Sequence, residues 1–63
     1  MATYDFNYKD NEGDEYSSDG HKTLQEARDE WMGIKEAFSD DCHITETWKY
    51  NDEGEFVGRP NIR

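Results

Sequence analysis

The 63-residue sequence has little of what small proteins commonly use to stabilise themselves. It contains one cysteine and one proline, and Leu, Ile and Val together supply five residues. A single cysteine excludes an internal disulfide framework and is typical of proteins from a reducing compartment. The sequence also lacks a signal peptide, a lipidation motif and any apolar stretch of about 18 residues. These absences predict a cytoplasmic protein that does not associate with membranes.

Basic residues are scarce as well. There are 7 Lys and Arg against 16 Asp and Glu, which gives a formal net charge of −9. The charge is uneven, because residues 1–55 hold all 16 acids and five of the seven bases, a net of −11. DNA, RNA and anionic membranes are polyanions that attract Lys and Arg. Direct binding to nucleic acid or to a membrane surface is therefore not expected.

Aromatic residues are the main source of apolar side chains for the core. Trp, Tyr and Phe supply nine residues, and they offer more buried area per residue than aliphatic side chains. A chain of this length buries only about 60% of the surface that its unfolded form exposes. We expect one domain over residues 1–63, with an aromatic core and a stability margin of a few kcal/mol.

Residues 23–39 carry the strongest structural signal, that of an amphipathic helix. Thr23 followed by Glu26 is a capping-box pattern that marks the helix start. The apolar side chains recur every three or four residues, which keeps them on one stripe. The stripe consists of Leu24, Ala27, Trp31, Ile34 and Phe38.

The opposite side of this helix is almost purely anionic. Like-charge neighbours three or four positions apart each destabilise a helix by roughly 0.2–0.5 kcal/mol, and anions at a helix C-terminus are unfavourable. Gly33 lies at the centre of this face, either because a partner approaches the backbone closely or because the glycine is tolerated. The acids are Glu26, Asp29, Glu30 and Glu36, followed by Asp40 and Asp41 after the helix.

Alternating patterns predict strands on both sides of the helix, at residues 3–9, 15–18, 42–50 and 55–58. Gly-containing turns at residues 10–13 and 51–54 join them into two hairpins, and Asp19-Gly20 is expected to end the second strand. The predicted fold is α+β with the order ββαββ: a four-stranded antiparallel sheet with one helix on one face. Residues 60–63 are expected to form a frayed tail.

The faces of these strands follow from the same alternation. Tyr4, Phe6 and Tyr8 are expected to face the helix, with Tyr16 beside them. In residues 42–50, the parity of Cys42 places Ile44, Trp48 and Tyr50 inward, with Phe56 or Val57 inward on the last strand. The polar outer face would then hold Asp5, Asn7, Thr45, Thr47 and Lys49. Glu46 does not fit the inward parity, and either a position at the sheet rim or a β-bulge would account for it.

No pattern indicates a metal site or a catalytic centre. Asp10, Glu12 and Asp14 have the spacing of a calcium loop, but Glu15 stands where that loop needs glycine. Cys42 and His43 are adjacent, so a strand directs their side chains to opposite faces, and no second ligand pair completes a zinc site. A chain of this size has little room for a cleft with an oriented base and an oxyanion hole. We expect no cofactor, no metal and no enzymatic activity.

Two resemblances accompany these patterns. In size, acidity and one-helix, two-hairpin layout, the chain resembles small phage inhibitors of host defence, including anti-CRISPR proteins that act as DNA mimics. That resemblance implies action in the host cytoplasm. Residues 6–27, with a DNEG turn and TLQEA at a helix start, are similar to the opening of HicB-type antitoxins, although the DNA-binding domain usual in that family is missing here.

The charge geometry leads to a functional hypothesis. Carboxylates three or four positions apart on a helix lie about 5–6 Å apart at Cβ, a density comparable to that of duplex phosphates. We expect a monomeric or homodimeric acidic inhibitor that binds a basic nucleic-acid-binding protein. The alternative is a HicB-like antitoxin or another interaction module that binds through apolar contacts around Met32. The predicted contact residues of the inhibitor are Glu26, Asp29, Glu30, Glu36, Asp40, Asp41, Asp10, Glu12, Asp14, Asp52 and Glu53.

Overall fold

The computed structural model describes residues 2–38 and 41–62, which form one antiparallel sheet and one helix. The strands are β1 (Thr3–Lys9), β2 (Glu15–His21), β3 (His43–Tyr50) and β4 (Phe56–Gly58), and helix α1 (Leu24–Ala37) follows β2. The order across the sheet is β2-β1-β3-β4, so the two hairpins meet where β1 pairs with β3. The predicted α+β fold with ββαββ order is confirmed. No helix in the described ranges is long and apolar enough to cross a membrane.

Helix α1 begins as its capping pattern predicts. The hydroxyl of Thr23 accepts a hydrogen bond from the backbone N–H of Glu26 at 3.1 Å, and the Glu26 carboxylate accepts one from the N–H of Thr23 at 3.2 Å. At the other end, the N–H of Phe38 donates to the carbonyl of Ile34 at 3.0 Å. These bonds satisfy backbone groups that a helix end leaves unpaired. The helix is slightly shorter than predicted, and Ser39 lies outside the described residues.

The core lies between α1 and the sheet. Phe6 is fully buried, and the Trp31 ring meets it edge-on at a centroid distance of 5.9 Å. Tyr4, Tyr8 and Ile44 are partly buried against the same cluster, so the predicted inward face of β1 is confirmed. The buried apolar residues are Phe6, Ala27, Trp31, Ile34, Cys42 and Ile62.

Strand β2 is longer than predicted, because Asp19-Gly20 does not end it. Gly20 adopts a φ of +81°, in the left-handed region that favours glycine, and its N–H donates to Asp5 Oδ1 at 2.8 Å. The pairing of β1 with β2 shifts register between Tyr4 and Phe6. This irregularity carries the strand on to His21, whose ring stacks on Phe6 at 5.7 Å.

A β-bulge in β3 overturns the predicted faces of that strand. The register pairs Asn7 with Glu46 but Tyr8 with Ile44, so Thr45 is the extra residue. A single inserted residue shifts the alternation by one position. Ile44 therefore faces the helix, while residues 46, 48 and 50 face the other side of the sheet.

The corrections that follow from this bulge concern four side chains. Trp48 pairs with Asp5 and Tyr50 with Thr3, so both aromatic side chains lie on the outer face, not in the core. Thr47 pairs with Phe6 and Lys49 with Tyr4, which places them on the helix side instead of the polar outer face. On β4, Phe56 and Val57 are each 51% exposed, so the expectation that one of them is inward is also wrong.

The C-terminal segment is part of the core, which corrects the prediction of a frayed tail. Ile62 is only 1% exposed, and the Arg28 guanidinium donates to the Asn61 carbonyl at 3.0 Å. Further back, Arg59 donates to the Thr47 carbonyl at 3.2 Å. Helix α1 packs on β1 and β2, and the segment at residues 59–62 runs beside β3, where Ile62 joins the buried cluster and the segment and β3 line a cavity between them. Residue 63 lies outside the described residues.

Candidate protein-interaction surface

The helix acids predicted as a contact face lie on the solvent side of α1. Their carboxylates project away from the side that buries Ala27, Trp31 and Ile34. This placement follows from the 3.6-residue period, which separates an apolar stripe from a polar one. Gly33 is exposed among them, and a Cβ added there would meet nothing within 4 Å. The exposed acids are Glu26, Asp29, Glu30 and Glu36.

Three of these acids have no basic partner within the described part of the chain. In residues 2–38 and 41–62, no Lys or Arg nitrogen lies within 4.0 Å of the carboxylates of Asp29, Glu30 or Glu36. Two lysines that could have turned toward acids lie over aromatic rings instead. Lys35 Nζ is 5.9 Å from the Trp31 ring centroid, and Lys49 Nζ is 5.3 Å from that of Tyr4. The negative charge of the helix is therefore directed at solvent.

Glu26 differs from the other helix acids because its carboxylate caps the N-terminus of α1. Its Oε2 accepts hydrogen bonds from the backbone N–H groups of Lys22 at 2.8 Å and Thr23 at 3.2 Å. A carboxylate at a helix N-terminus also interacts favourably with the helix dipole. Asp29 accepts a hydrogen bond from the Gln25 side-chain amide at 2.8 Å, which orients its carboxylate without neutralising it.

In the first hairpin, Asp10 organises the turn. It is 9% exposed, and its Oδ1 accepts hydrogen bonds from the N–H groups of Glu12 at 2.9 Å and Asp14 at 3.0 Å. The hydroxyl of Tyr16 lies 3.3 Å from Oδ2. Asp10 is thus committed to the fold, and Glu12 and Asp14 are the exposed acids of this turn.

The second hairpin repeats the same turn with asparagine. Asn51 Oδ1 accepts hydrogen bonds from the N–H groups of Glu53 at 2.9 Å and Glu55 at 3.0 Å. Gly54 has a φ of +82°, and Gly13 in the first turn has +85°, so both turns place glycine at a left-handed position. Asp52 and Glu53 are exposed at the tip of this turn.

The structure does not bring all of the predicted acids together. Lys9 pairs with His43 and Thr3 with Tyr50, so the turn at residues 10–14 and the turn at residues 51–55 lie at opposite ends of the sheet. Phe38, at the end of the helix, contacts Tyr16 at a centroid distance of 6.2 Å, which places the first turn near the helix C-terminus. Asp41 is exposed there, and Asp40 lies outside the described residues.

The acidic cluster in the first turn and the Cys42-His43 pair were the sequence features considered for metal binding or catalysis. The carboxylates of Asp10, Glu12 and Asp14 lie within 4.8 Å of one another. The hydrogen bonds that Asp10 Oδ1 accepts from the backbone N–H groups of Glu12 and Asp14 account for this clustering. Cys42 is 7% exposed while His43 is exposed, so the two side chains diverge as predicted.

The electrostatic influence of the acids reaches two tyrosines. Burial raises the pKa of Tyr8 above its ordinary value of 10.0, and electrostatic interactions with Cys42 and Glu30 add to the rise. Burial likewise raises the pKa of Tyr16, and Asp10 contributes through its charge and its hydrogen bond. Both phenols lie on the helix side of the sheet.

Sequence reasoning missed the aromatic residues on the other side of the sheet. Trp48, Tyr50 and Phe56 share the outer face, and the rings of Tyr50 and Phe56 meet at 6.2 Å with an interplanar angle of 71°. The signal that could have revealed them was Glu46, which does not fit the apolar alternation and which the bulge at Thr45 explains. Placing that bulge before Glu46 moves Trp48 and Tyr50 outward.

Comparison of the chain with protein-family models, with curated proteins and with solved structures gave no match.

Proposed function

We propose that this protein acts by stoichiometric binding, with the carboxylates of α1 occupying a basic, nucleic-acid-binding groove of another protein. The observation that carries the proposal is that Asp29, Glu30 and Glu36 have no basic partner among the described residues. A cation supplied by a partner would offset the repulsion of Asp29 and Glu30 from Glu26, three and four positions earlier, and Lys and Arg in a nucleic-acid groove are such cations. The protein would thereby exclude DNA or RNA from that groove in the cytoplasm, in the manner of an anti-CRISPR-type mimic.

The layout of the acids supports an extended contact. The Cα positions span 35 Å along the longest axis of the molecule. Exposed acids occur along α1 and beyond its C-terminal end, at Asp41, Glu12 and Asp14. Complementary charge of this kind accelerates association and makes it sensitive to salt.

The experiment uses competition with nucleic acid. Proteins captured from a cell lysate on the immobilised chain are tested, one by one, for release of a labelled DNA duplex when the chain is added. We expect a captured protein to lose its duplex, and the variant Asp29→Asn/Glu30→Gln/Glu36→Gln to be at least about tenfold weaker. The three substitutions keep the side-chain shapes and remove the charges.

A second variant controls for net charge. Ser17→Lys/Asp19→Lys changes two exposed positions on the edge strand β2 and raises the net charge by the same amount. It should compete nearly as well as the unmodified chain, since it leaves the helix face intact. Equal competition by the unmodified chain and by the helix variant would rule the proposal out.

One observation favours the alternative of apolar binding, as in a HicB-like module. Met32 is 56% exposed on α1, more than any other large apolar side chain among the described residues. If Met32 provides the contact, Met32→Glu should weaken capture strongly and with little dependence on salt. If the helix carboxylates provide the contact instead, Met32→Ala should bind the partner like the unmodified chain.

A further inference from the structure

The open face of the sheet carries a row of aromatic side chains. Trp48 and Tyr50 are half-buried on β3, and Phe56, beside Tyr50 on β4, is 51% exposed. Successive outward side chains on a strand are about 6.6 Å apart, so Trp48 and Tyr50 are neighbours on this face, and the rings of Tyr50 and Phe56 are in contact. The aromatic and aliphatic groups that pack on the core lie on the other side of the sheet. Exposed aromatic strips of this kind mark interaction surfaces.

The charges around the row select the kind of ligand. Asp5 lies directly across from Trp48, and Glu46 precedes Trp48 by two positions on the same face. Stacking of nucleic-acid bases on a sheet requires a positive surround, whereas the two residues just described beside Trp48 are acidic. A second copy of the chain brings the same net charge of −9 and is repelled. Charge complementarity therefore favours a cationic ligand.

Arg59 already shows how this face holds a guanidinium group. Its guanidinium carbon lies 5.6 Å from the Phe56 ring centroid, and Nη1 is 3.7 Å from Glu46 Oε2. The same Nη1 donates to the Thr47 carbonyl at 3.2 Å. An aromatic ring, a carboxylate and a carbonyl thus hold one arginine within the chain. Trp48 and Asp5 present a second ring and carboxylate, and no cation of the described residues lies over Trp48.

We propose that the open face of the sheet binds an arginine side chain of a partner polypeptide, with the guanidinium over Trp48 and beside the Asp5 carboxylate. Guanidinium stacks well on indole and binds carboxylates through two parallel hydrogen bonds. Asp5 Oδ1 already accepts a hydrogen bond from the N–H of Gly20 at 2.8 Å, which fixes its orientation. The site goes beyond the proposed function, because it lies on the opposite side of the sheet from α1 and does not require the helix acids.

The test uses a blocked peptide of alternating arginine and glycine, titrated into the full chain and followed by the indole N–H signals in NMR. Trp31 is 4% exposed and serves as the internal reference. We expect the Trp48 signal to shift and the Trp31 signal to stay, with no shift from a peptide in which neutral citrulline replaces arginine. Trp48→Thr should bind the peptide at least about fivefold more weakly.

Three variants distinguish a loss of peptide binding at this site from a loss of folding and from binding to the helix acids. Asp5→Asn keeps an acceptor for the N–H of Gly20 and removes the charge, so it should weaken peptide binding even if Trp48→Thr fails to fold. Val57→Thr, at a 51% exposed position on β4, should bind normally. The variant Asp29→Asn/Glu30→Gln/Glu36→Gln should also bind the peptide normally, which separates failure of this site from failure of the proposed function.

Several results would overturn the site. They are an equal response to the citrulline peptide, unchanged binding in Asp5→Asn, and peptide-induced shifts confined to the helix acids. Trp48 shifts produced more readily by single-stranded DNA than by the peptide would assign the row to nucleic acid. Concentration-dependent Trp48 shifts without any peptide would assign it to self-association.

Discussion

The two broad faces of this protein expose different chemistry. The outer side of α1 presents Asp29, Glu30 and Glu36 without basic partners in the described residues, because Lys35 lies over a ring. The open side of the sheet presents aromatic rings, and Arg59 neutralises Glu46 there. The few cations are therefore not spread evenly over the acids. The helix face should bind through charge and lose affinity in salt, whereas the sheet face should bind through rings and lose less.

The largest loss of stability is expected on truncating a core side chain that holds the two faces together. Ile62 is 1% exposed between the helix layer and the sheet, so Ile62→Ala should lower the free energy of unfolding by about 2–5 kcal/mol. Urea unfolding measures this loss. Val57→Ala on the exposed side of β4 is the control and should change stability by less than about 0.5 kcal/mol. Equal losses in the two variants would contradict the docking of the C-terminal segment.

A pair of substitutions on the helix face separates structural from unpaired acids. Glu26→Ala removes the capping box and should cost about 0.5–2 kcal/mol. Glu30→Ala removes the same charge from an exposed position without a hydrogen-bond partner among the described residues. It should be neutral or slightly stabilising, since it relieves like-charge repulsion. Thermal unfolding at low salt compares them, and a larger cost for Glu30→Ala would reverse the assignment.

Gly33 tests how closely a partner approaches the acidic face. A Cβ there meets nothing within 4 Å, so Gly33→Ala should stabilise the helix by about 1 kcal/mol. If the partner contacts this part of the backbone, the same variant should bind it more weakly while being more stable. Chemical unfolding and the DNA-competition assay together give both quantities. A destabilised variant would mean that the helix is not packed as described.

The smallest effect concerns alkaline pH on the helix side. Because the pKa of Tyr8 is raised in the folded protein, the folded state favours the neutral phenol. Its contribution to stability is complete below the ordinary pKa of 10.0 and is lost as pH rises through the folded pKa. Tyr8→Phe should therefore lose less stability than the unmodified chain above that pH. Unfolding measured across this range checks it, and identical curves would contradict it.

Local patterns predicted the elements well. The bounds of β1 and the capping box at Thr23 follow from side-chain alternation and from hydrogen bonds between residues close in sequence. The faces of β3 could not be predicted in the same way, because one extra residue at Thr45 inverts every later side chain. Sequence alone shows that Glu46 is misplaced but does not fix where the bulge lies.

The burial of Ile62 results from tertiary packing and not from a local sequence pattern. Helix α1 packs on β1 and β2, and the uncovered side of β3 has to be filled by something else. A lone isoleucine after a proline carries no periodicity that would identify it. The acidic side of the helix was predicted from the sequence, whereas the commitment of Glu26 and Asp10 to hydrogen bonds required the structure.

In the proposed complex, the unpaired helix carboxylates meet cations of a basic partner. The most direct test is the salt dependence of binding to the partner whose DNA is displaced, for the unmodified chain and for Asp29→Asn/Glu30→Gln/Glu36→Gln. We expect the affinity to fall steeply with salt for the unmodified chain and much less for the variant. The same slope in both, at similar affinity, would contradict it.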